Sequence, residues 1–400
     1  MRSHFKLWPV GQGLFYSGSI NYNEAEVFNF VYDCGGGTKR TVEKLVESYV
    51  STYNLRKKSL DMLVISHFDD DHVKGIPKLL SEVSKVNKIF IPYAGGIENY
   101  LLFLALVYGS GSNIYGKVNE IILVNEFESD NKGEQNNDFY ELQTLEEDLG
   151  DFKLPGIRIS LLKNPNLVFK NIWKFKFYNT YLGSNTYSSN IQNELKNLWI
   201  SEGYNGLEEL LQNLAKPLKN NVSKTVRNAI LAIYKKYCLK SNKNSKINQS
   251  SLCLYHSPIK NSNKRRYYSM VNSHQCYCID CCSDYPCMNI EQGTMLTGDI
   301  SLQDDGKGGR YDHFKKYFKN EVKDVLYFLI PHHGSKNNWT KKILKDFSTS
   351  HYFLNSAGVL NSHGHPSDRV ILDIIKSGRK ILYCNENVTV NYEIYYTIIM

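Results

Sequence analysis

Residues 66–75 read Ser-His-Phe-Asp-Asp-Asp-His-Val-Lys-Gly, directly after a short apolar run that predicts a β-strand. His67, Asp69, Asp71 and His72 therefore leave the end of this strand close together. Alternate residues of an extended stretch share one face, so the first three side chains can converge, and a turn brings in the fourth. Imidazole and carboxylate groups are ligands of zinc and manganese. The spacing indicates a site for one or two divalent metal ions; the plainer alternative is an exposed acidic turn, with His67 capping the strand.

The segment resembles the His-x-His-x-Asp-His signature of the metallo-β-lactamase fold, with Asp69 in place of the second histidine. That exchange is typical of the hydrolase domain attached to the ComEC-type DNA-uptake channel of competent bacteria. Other segments resemble further motifs of this family, in the same order along the chain. They are Val10-Gly11-Gln12-Gly13, Val31-Tyr32-Asp33-Cys34-Gly35-Gly36, Ser250-Ser251-Leu252-Cys253-Leu254, Met295-Leu296-Thr297-Gly298-Asp299, Ile330-Pro331-His332-His333-Gly334-Ser335-Lys336 and Gly364-His365-Pro366.

The resemblance implies an α/β architecture, the αββα sandwich, in which two β-sheets face each other between outer helices. It places the metal site at one sheet edge. We expect the N-terminal half of this fold at residues 1–165 and the C-terminal half at 248–400. Between them, residues 166–247 are expected to form a basic helical insertion.

The resemblance also extends the set of candidate metal ligands. It implies that Asp299 bridges two metal ions; the alternative is a helix cap for residues 300–303. Adjacent histidines in an extended chain point to opposite sides, so one of His332 and His333 is expected to bind metal and the other substrate, with His332 preferred as the ligand. His365 is a further candidate ligand, or alternatively a contact to the leaving group.

One histidine of the family has no counterpart here. It precedes the Leu-Thr-Gly-Asp strand, and Asn248 or Ser250 occupies its place. One metal position is therefore expected to be weak or filled only with substrate, and the oxygen-rich ligand set favours manganese or magnesium without excluding zinc.

These ligands predict a metal-dependent hydrolase, since a bound metal lowers the pKa of water and generates hydroxide. Asp71 or Asp69 would orient this hydroxide. Lys336 and a histidine of the 332–333 pair, here His333, would stabilise the negative charge that develops. The chain contains no Gly-x-Ser-x-Gly segment that would indicate a serine nucleophile.

The formal net charge of +8 is unevenly distributed. Residues 211–279 contain 13 Lys or Arg and no Asp or Glu. Such a segment favours a polyanionic substrate, because phosphate neutralisation provides most of the non-specific affinity for nucleic acid. The alternative is that the 166–247 insertion binds a partner protein. The candidate nucleic-acid-binding residues are Lys235, Lys236, Lys240, Lys264, Arg265 and Arg266.

Five of the nine cysteines lie in a compact loop within residues 274–287. Four ligands from this loop could hold a structural zinc separate from the catalytic metal. Reduced thiols or a disulfide are the alternatives. The candidate ligands are Cys276, Cys278, Cys281 and Cys287.

The most specific function that the sequence supports is a phosphodiesterase or nuclease that acts on DNA, as an effector of a defence system. The alternatives are a hydrolase of a small ester, lactone or nucleotide, and an interaction subunit gated by a partner. No apolar run approaches the ~20 residues of a membrane span, and no signal peptide is visible. We therefore expect a cytoplasmic protein without membrane contact.

Overall fold

The computed structural model describes residues 2–23, 26–93, 103, 116–125, 142–144, 157–162, 164–179, 185–205, 209, 221–234, 236, 251–259, 265–273, 292–304 and 306–398. Its strands form two mixed sheets. The first sheet has the spatial order β12 (Arg265–Ser273), β17 (Val390–Ile398), β1 (Arg2–Leu7), β2 (Phe15–Asn21), β3 (Val27–Cys34), β4 (Leu60–Val64), β5 (Val86–Pro92), β6 (Val118–Val124), β8 (Arg158–Leu162) and β7 (Leu142–Thr144).

The second sheet is smaller and also mixed. Its last four strands in chain order are parallel to one another, and the remaining strands pair antiparallel. The order across this sheet is β16 (Lys380–Cys384), β15 (Tyr352–Ser356), β14 (Val325–Leu329), β13 (Gly293–Leu296), β11 (Cys253–Pro258), β10 (Trp173–Tyr178) and β9 (Asn166–Phe169).

Helices cover the outer faces of both sheets. They are α1 (Lys39–Thr52), α2 (Asp70–Val73), α3 (Ile76–Glu82), α4 (Asn185–Ser201), α5 (Asn221–Tyr234), α6 (Arg310–Tyr317), α7 (Lys342–Asp346) and α8 (Asp368–Lys376). Within the described ranges, no helix has the length and apolar content needed to cross a membrane.

Three apolar cores hold these layers together. The central core lies between the sheets, where Phe30 and Phe90 of the first sheet share one cluster with Phe175 of the second. A second core joins the first sheet to helices α1, α3, α4 and α5, and a third joins the second sheet to α6, α7 and α8. This helix–sheet–sheet–helix layering confirms the fold class predicted from the sequence.

Residues 166–178 differ from the helical insertion expected at 166–247. Trp173, Phe175 and Phe177 are buried, whereas Lys174 and Lys176 between them are partly exposed. This alternation has the period of a strand, and β10 pairs antiparallel with β11 in the second sheet. Among the described residues of the expected insertion, the first helix is α4, and α4 and α5 pack onto the outer face of the first sheet.

Candidate metal centre

The metal motif lies at the carboxyl end of β4, where the chain turns into α2. Ser66 opens this loop, and its backbone N and its Oγ both donate to the carboxylate of Asp33, at 2.7 and 2.5 Å. Asp33 ends the neighbouring parallel strand, so both strand ends lie at one sheet edge. The turn of α2 buries His72 and leaves Asp70 exposed, and His67 is also buried. The loop thus directs two of its histidines inward.

Two glycines on other turns allow this loop to pack closely against the sheet edge. A Cβ atom at Gly35 would lie 2.1 Å from the carbonyl oxygen of Asp71, and one at Gly13 would lie 2.3 Å from it. The backbone N of Leu14 donates to the same oxygen at 3.0 Å. The glycines of the Val-Gly-Gln-Gly and Gly-Gly-Gly segments therefore help to position Asp71.

Asp299 follows β13, and its carboxylate faces four imidazole rings. Its Oδ1 lies 3.2 Å from His72 Nε2 and 3.6 Å from His333 Nε2. Its Oδ2 lies 3.4 Å from His332 Nε2 and 3.8 Å from His67 Nε2. Each carboxylate oxygen thus faces its own pair of ring nitrogens, which is an arrangement that suits a bridging ligand.

The four histidines share a second feature: the other ring nitrogen, Nδ1, lies next to a hydrogen-bonding group of the protein. Partners of this kind fix the orientation of a metal-binding imidazole and leave its Nε2 free to face the ion. The pairs are His67 with Ser66 Oγ at 2.9 Å, His72 with Asp33 Oδ2 at 2.8 Å, His332 with Asn338 Oδ1 at 3.0 Å, and His333 with the carbonyl oxygen of Ser356 at 2.7 Å.

Adjacent His332 and His333 both reach the cluster because neither residue is extended. Their φ angles are 48° and 55°, in the left-handed region. Non-glycine residues adopt this conformation at a cost of about 1–2 kcal/mol, and it persists where the surrounding structure enforces it, often at functional sites. The expectation that the two rings point to opposite sides assumed an extended chain, and the chain here is a tight turn.

Two sets of three ligand atoms lie within 4.8 Å of one another. One set is His67, His72 and Asp299, and the other is Asp71, His72 and His333. His67 Nε2 is buried and has no hydrogen-bond partner among the described residues. Burying a polar nitrogen without a partner costs folding free energy, and coordination of a divalent ion would give this nitrogen a partner. These buried His and Asp groups could therefore bind a metal.

Charges within the cluster shift its pKa values strongly. Burial raises the pKa of Asp299, but the facing imidazoles, that of His332 first, outweigh burial and hold this pKa well below its usual value. Burial likewise lowers the pKa of His72, yet the carboxylates of Asp299, Asp71 and Asp33 raise it well above the usual value. Asp299 therefore stays ionised, and a metal ion would take the place of the proton on His72.

Asp69 and His67 lie side by side at the edge of the cluster. Asp69 Oδ2 is 3.7 Å from His67 Nε2, and Asp69 belongs to neither set of ligand atoms. Burial, then the carboxylates of Asp71 and Asp299, raise the pKa of Asp69 to about 7. Burial lowers the pKa of His67 to about 3, so its imidazole is neutral, as a metal ligand requires.

His365 and Lys336 lie at the rim. The rings of His365 and His332 are 5.7 Å apart, centre to centre. Burial, followed by the charge of His332, lowers the pKa of His365 to about 4. Neither His365 nor His332 belongs to the two sets of three ligand atoms found among the described residues. Lys336 follows the histidine pair and is exposed. The structure thus brings His333 into the cluster and leaves the roles of the rim residues as predictions.

Sequence reasoning missed the residues that touch the cluster histidines, and Asp33 and Ser251 are two of them. Asp33 bonds His72, and the sequence signal was a carboxylate at the end of an apolar strand. Ser251 Oγ lies 3.3 Å from His67 Nδ1 and accepts a hydrogen bond from Asp299 N at 3.1 Å. Ser251 therefore stands beside the cluster where Asn248 or Ser250 was expected, and those two residues lie outside the described residues.

The other predicted sites remain largely untested by the structure. Lys236 is exposed and forms an ion pair with Glu194. Arg265 and Arg266 begin β12, at one end of the first sheet, paired with β17. The remaining candidates lie outside the described residues: Lys235, Lys240, Lys264, Cys276, Cys278, Cys281 and Cys287.

Comparisons with known proteins identify no family for this chain. No protein-family profile matches the sequence, and no curated protein matches it. A long form RNase Z from yeast has a similar backbone, with a TM-score of 0.36 and 8% identity over 97% of this chain and 41% of that chain. The isothiocyanate hydrolase from Delia radicum gut bacteria has a TM-score of 0.38 and 10% identity over 96% of this chain and 97% of that one. The chain thus spans less than half of the yeast enzyme. At this level of similarity, the fold assignment rests on the sheet order and layering described above.

Proposed function

We propose that this chain is a metal-dependent hydrolase that cleaves phosphodiesters, with DNA as its substrate. The observation that supports this most is the Asp299 carboxylate, whose Oδ1 faces the Nε2 atoms of His72 and His333 while its Oδ2 faces that of His67. Two-metal phosphodiesterases hold their ions ~3.5–4 Å apart, and a bridging carboxylate sets that separation. An effector role in a defence system is compatible with such a nuclease.

In this proposal the residues of the two sets of ligand atoms hold the metal, and the rim residues bind the substrate. When bound, the metal supplies a water molecule whose pKa is lowered toward neutrality. His333, which is buried, belongs to the ligands, and the partly exposed His332 faces the substrate. This assignment reverses the roles first expected for the pair. The proposed ligands are His67, Asp71, His72, Asp299 and His333.

Three rim residues would act on the substrate directly. The side chain of Asp69 is 23% exposed and its Oδ2 lies 3.7 Å from His67 Nε2, so this carboxylate stands where it would accept a proton from the attacking water. His332, whose Nδ1 lies 3.0 Å from Asn338 Oδ1, presents its Nε2 to the substrate, and its protonated form would donate a hydrogen bond from this atom to a phosphate oxygen. Lys336 would add a positive charge beside the negative charge that develops there.

The choice of nucleic acid rests on the charge of the chain. Residues 211–279 carry 13 basic and no acidic side chains, and the field of such a segment attracts a phosphate backbone. The α4–α5 pair anchors part of this segment to the first sheet through buried Val226 and Ile230. A basic segment attached to the body of a hydrolase suits a long polyanion better than a small neutral ester.

The test uses purified protein stripped of metal with EDTA and then supplied with manganese, zinc or magnesium. Plasmid, single-stranded DNA, RNA and bis(p-nitrophenyl) phosphate are the substrates. Cleavage should depend on metal, and Asp71→Asn should reduce it by at least ~100-fold. Asp70→Asn changes the neighbouring exposed carboxylate and should keep wild-type turnover. Metal-independent cleavage, or equal loss in both variants, would contradict the proposal.

A further inference from the structure

A cavity of about 260 Å³ lies between the two sheets, at the strand ends opposite the metal centre. Asp61 marks its position near the start of β4, and Ser66 of the metal loop follows five residues later. At ~3.3 Å per residue, these two positions are roughly 17 Å apart. The apolar side chains that line the cavity are Phe28, Met62, Phe90, Ile122, Leu167, Val168, Phe169 and Phe175.

The mouth of this cavity is polar. A second space of about 410 Å³ adjoins the apolar chamber and shares Asp61 and Phe169 with it. Four aromatic rings form much of the chamber wall, with Phe28 only 4.9 Å from Phe169 and 5.5 Å from Phe175, between ring centres. The second space is otherwise lined by Glu26, Val27, Asn29, Lys58, Ser59 and Lys170. An apolar chamber with a few polar groups at its entrance is the usual form of a small-molecule site.

Two groups at the mouth, the Asp61 carboxylate and Asn29 Oδ1, can accept further hydrogen bonds. The carboxylate of Asp61 accepts from the backbone N of Asn29 at 2.8 Å and from Asn87 Nδ2 at 3.1 Å. A carboxylate can accept about four hydrogen bonds, so Asp61 can accept about two more. The Oδ1 atom of Asn29, a residue only 4% exposed, has no donor among the described residues. Burial raises the pKa of Asp61 above its usual value, although the hydrogen bonds from Asn29 and Asn87 lower it.

The lysines near the cavity do not neutralise the negative charge of Asp61. Lys88 pairs with Glu120 at 3.6 Å, and Lys170 pairs with Glu26 at 3.5 Å. Lys58 is exposed at the mouth. Within the described ranges, no basic nitrogen lies within 4.0 Å of the Asp61 carboxylate. The missing partner is therefore a donor, and preferably a cation.

We infer that this cavity binds an organic amine with an apolar or aromatic body. The body fills the chamber between Phe90 and Phe175, and the ammonium group donates hydrogen bonds to Asp61 and Asn29 Oδ1. A cation at the mouth also meets the faces of Phe28 and Phe169, which attract positive charge. This site is separate from the metal centre and does not depend on the proposed hydrolysis.

The test uses phenethylamine as the probe and 3-phenylpropionate as its matched acid. Titration calorimetry should detect binding of the amine and little binding of the acid. Asp61→Asn keeps the shape of the side chain and should weaken amine binding by roughly tenfold or more, since a charged hydrogen bond is lost. Glu26→Gln removes a carboxylate already paired with Lys170 and should leave the affinity unchanged.

A second readout locates the bound amine. In the spectrum of ¹³C-methyl-methionine protein, the signal of Met62, which lines the chamber, should shift on titration. The signal of Met295, buried in the core behind the second sheet, should not. Equal binding of amine and acid, unchanged affinity in Asp61→Asn, no binding at millimolar probe, or a silent Met62 would each overturn the inference.

Discussion

Asp33 Oδ2 lies 2.8 Å from His72 Nδ1, and both side chains are completely buried. Asp33 is itself held by the two hydrogen bonds from Ser66, so the imidazole of His72 has one orientation. Its Nε2 then faces Asp299. A carboxylate behind a metal-binding histidine fixes the tautomer and increases the basicity of the ring. Asp33 therefore positions a proposed ligand without touching the metal.

Replacing Asp33 should weaken metal binding while the fold survives. Asp33→Asn keeps a side-chain oxygen opposite His72 Nδ1 but removes the negative charge. We expect metal affinity to fall by about 10–100-fold, as it does when other partners of this kind are removed. A competition titration with a metal indicator measures the change. Asp70→Asn, on the exposed side of α2, is the control, and equal affinities of the two variants would count against the role of Asp33.

The metal-free protein should lose stability as the pH rises above neutrality. Nearby carboxylates outweigh burial and raise the pKa values of His72 and His333. Stability from a histidine with a raised folded-state pKa is fully present below its unfolded pKa of about 6.5, and is lost as the pH rises through the folded pKa. Thermal unfolding of metal-free protein from pH 6 upward should show a falling Tm.

Metal affinity should change with pH in the opposite direction. A metal binds the neutral imidazole, so binding displaces the proton of His72 and becomes tighter as the pH rises. Calorimetry in buffers with different ionisation enthalpies should detect this proton release. A Tm that rises with pH in metal-free protein, or metal binding without proton release, would show that the cluster histidines are neutral.

Two glycines in one turn should respond differently to the same substitution. A methyl group at Gly35 would collide with the backbone of Asp71 at 2.1 Å, whereas at Gly37 the nearest atoms are 3.9 Å away. Gly35→Ala should therefore destabilise the fold by about 1–3 kcal/mol and weaken metal binding, because Asp71 is displaced. Gly37→Ala should stay within about 0.5 kcal/mol of wild type. Denaturant unfolding and the metal titration measure both effects, and similar behaviour of the two variants would contradict the packing argument.

The strands and the metal loop could be predicted because their signals are local. The apolar run before residue 66 and the His/Asp spacing after it identify both β4 and the loop. The contact between Asp33 and His72 could not be read in this way, since it depends on β3 pairing with β4 across an intervening helix. The left-handed conformation of His332 and His333 could not be predicted from the sequence either, because the surrounding structure sets it.

The basic segment provides the last prediction. Its positive side chains should recruit phosphate backbones at a distance from the metal centre. Changing Lys235, Lys236 and Lys240 together to Glu should weaken binding to a DNA duplex and reduce the salt dependence of affinity. Each phosphate contact contributes a slope of about 0.9. We expect a decrease of roughly 2–3 units, at the lower end because Lys236 is already paired with Glu194.

Fluorescence anisotropy at several salt concentrations measures that slope. The control variant changes Lys316, Lys319 and Lys323 to Glu. These lysines are exposed near α6, on the other side of the sandwich, so the control alters the net charge equally but should retain DNA binding. Cleavage of bis(p-nitrophenyl) phosphate should be normal in both variants, because neither touches the metal cluster. If the first triple variant bound DNA as wild type does, the segment would be a surface for a protein partner, and the nuclease would be gated by that partner.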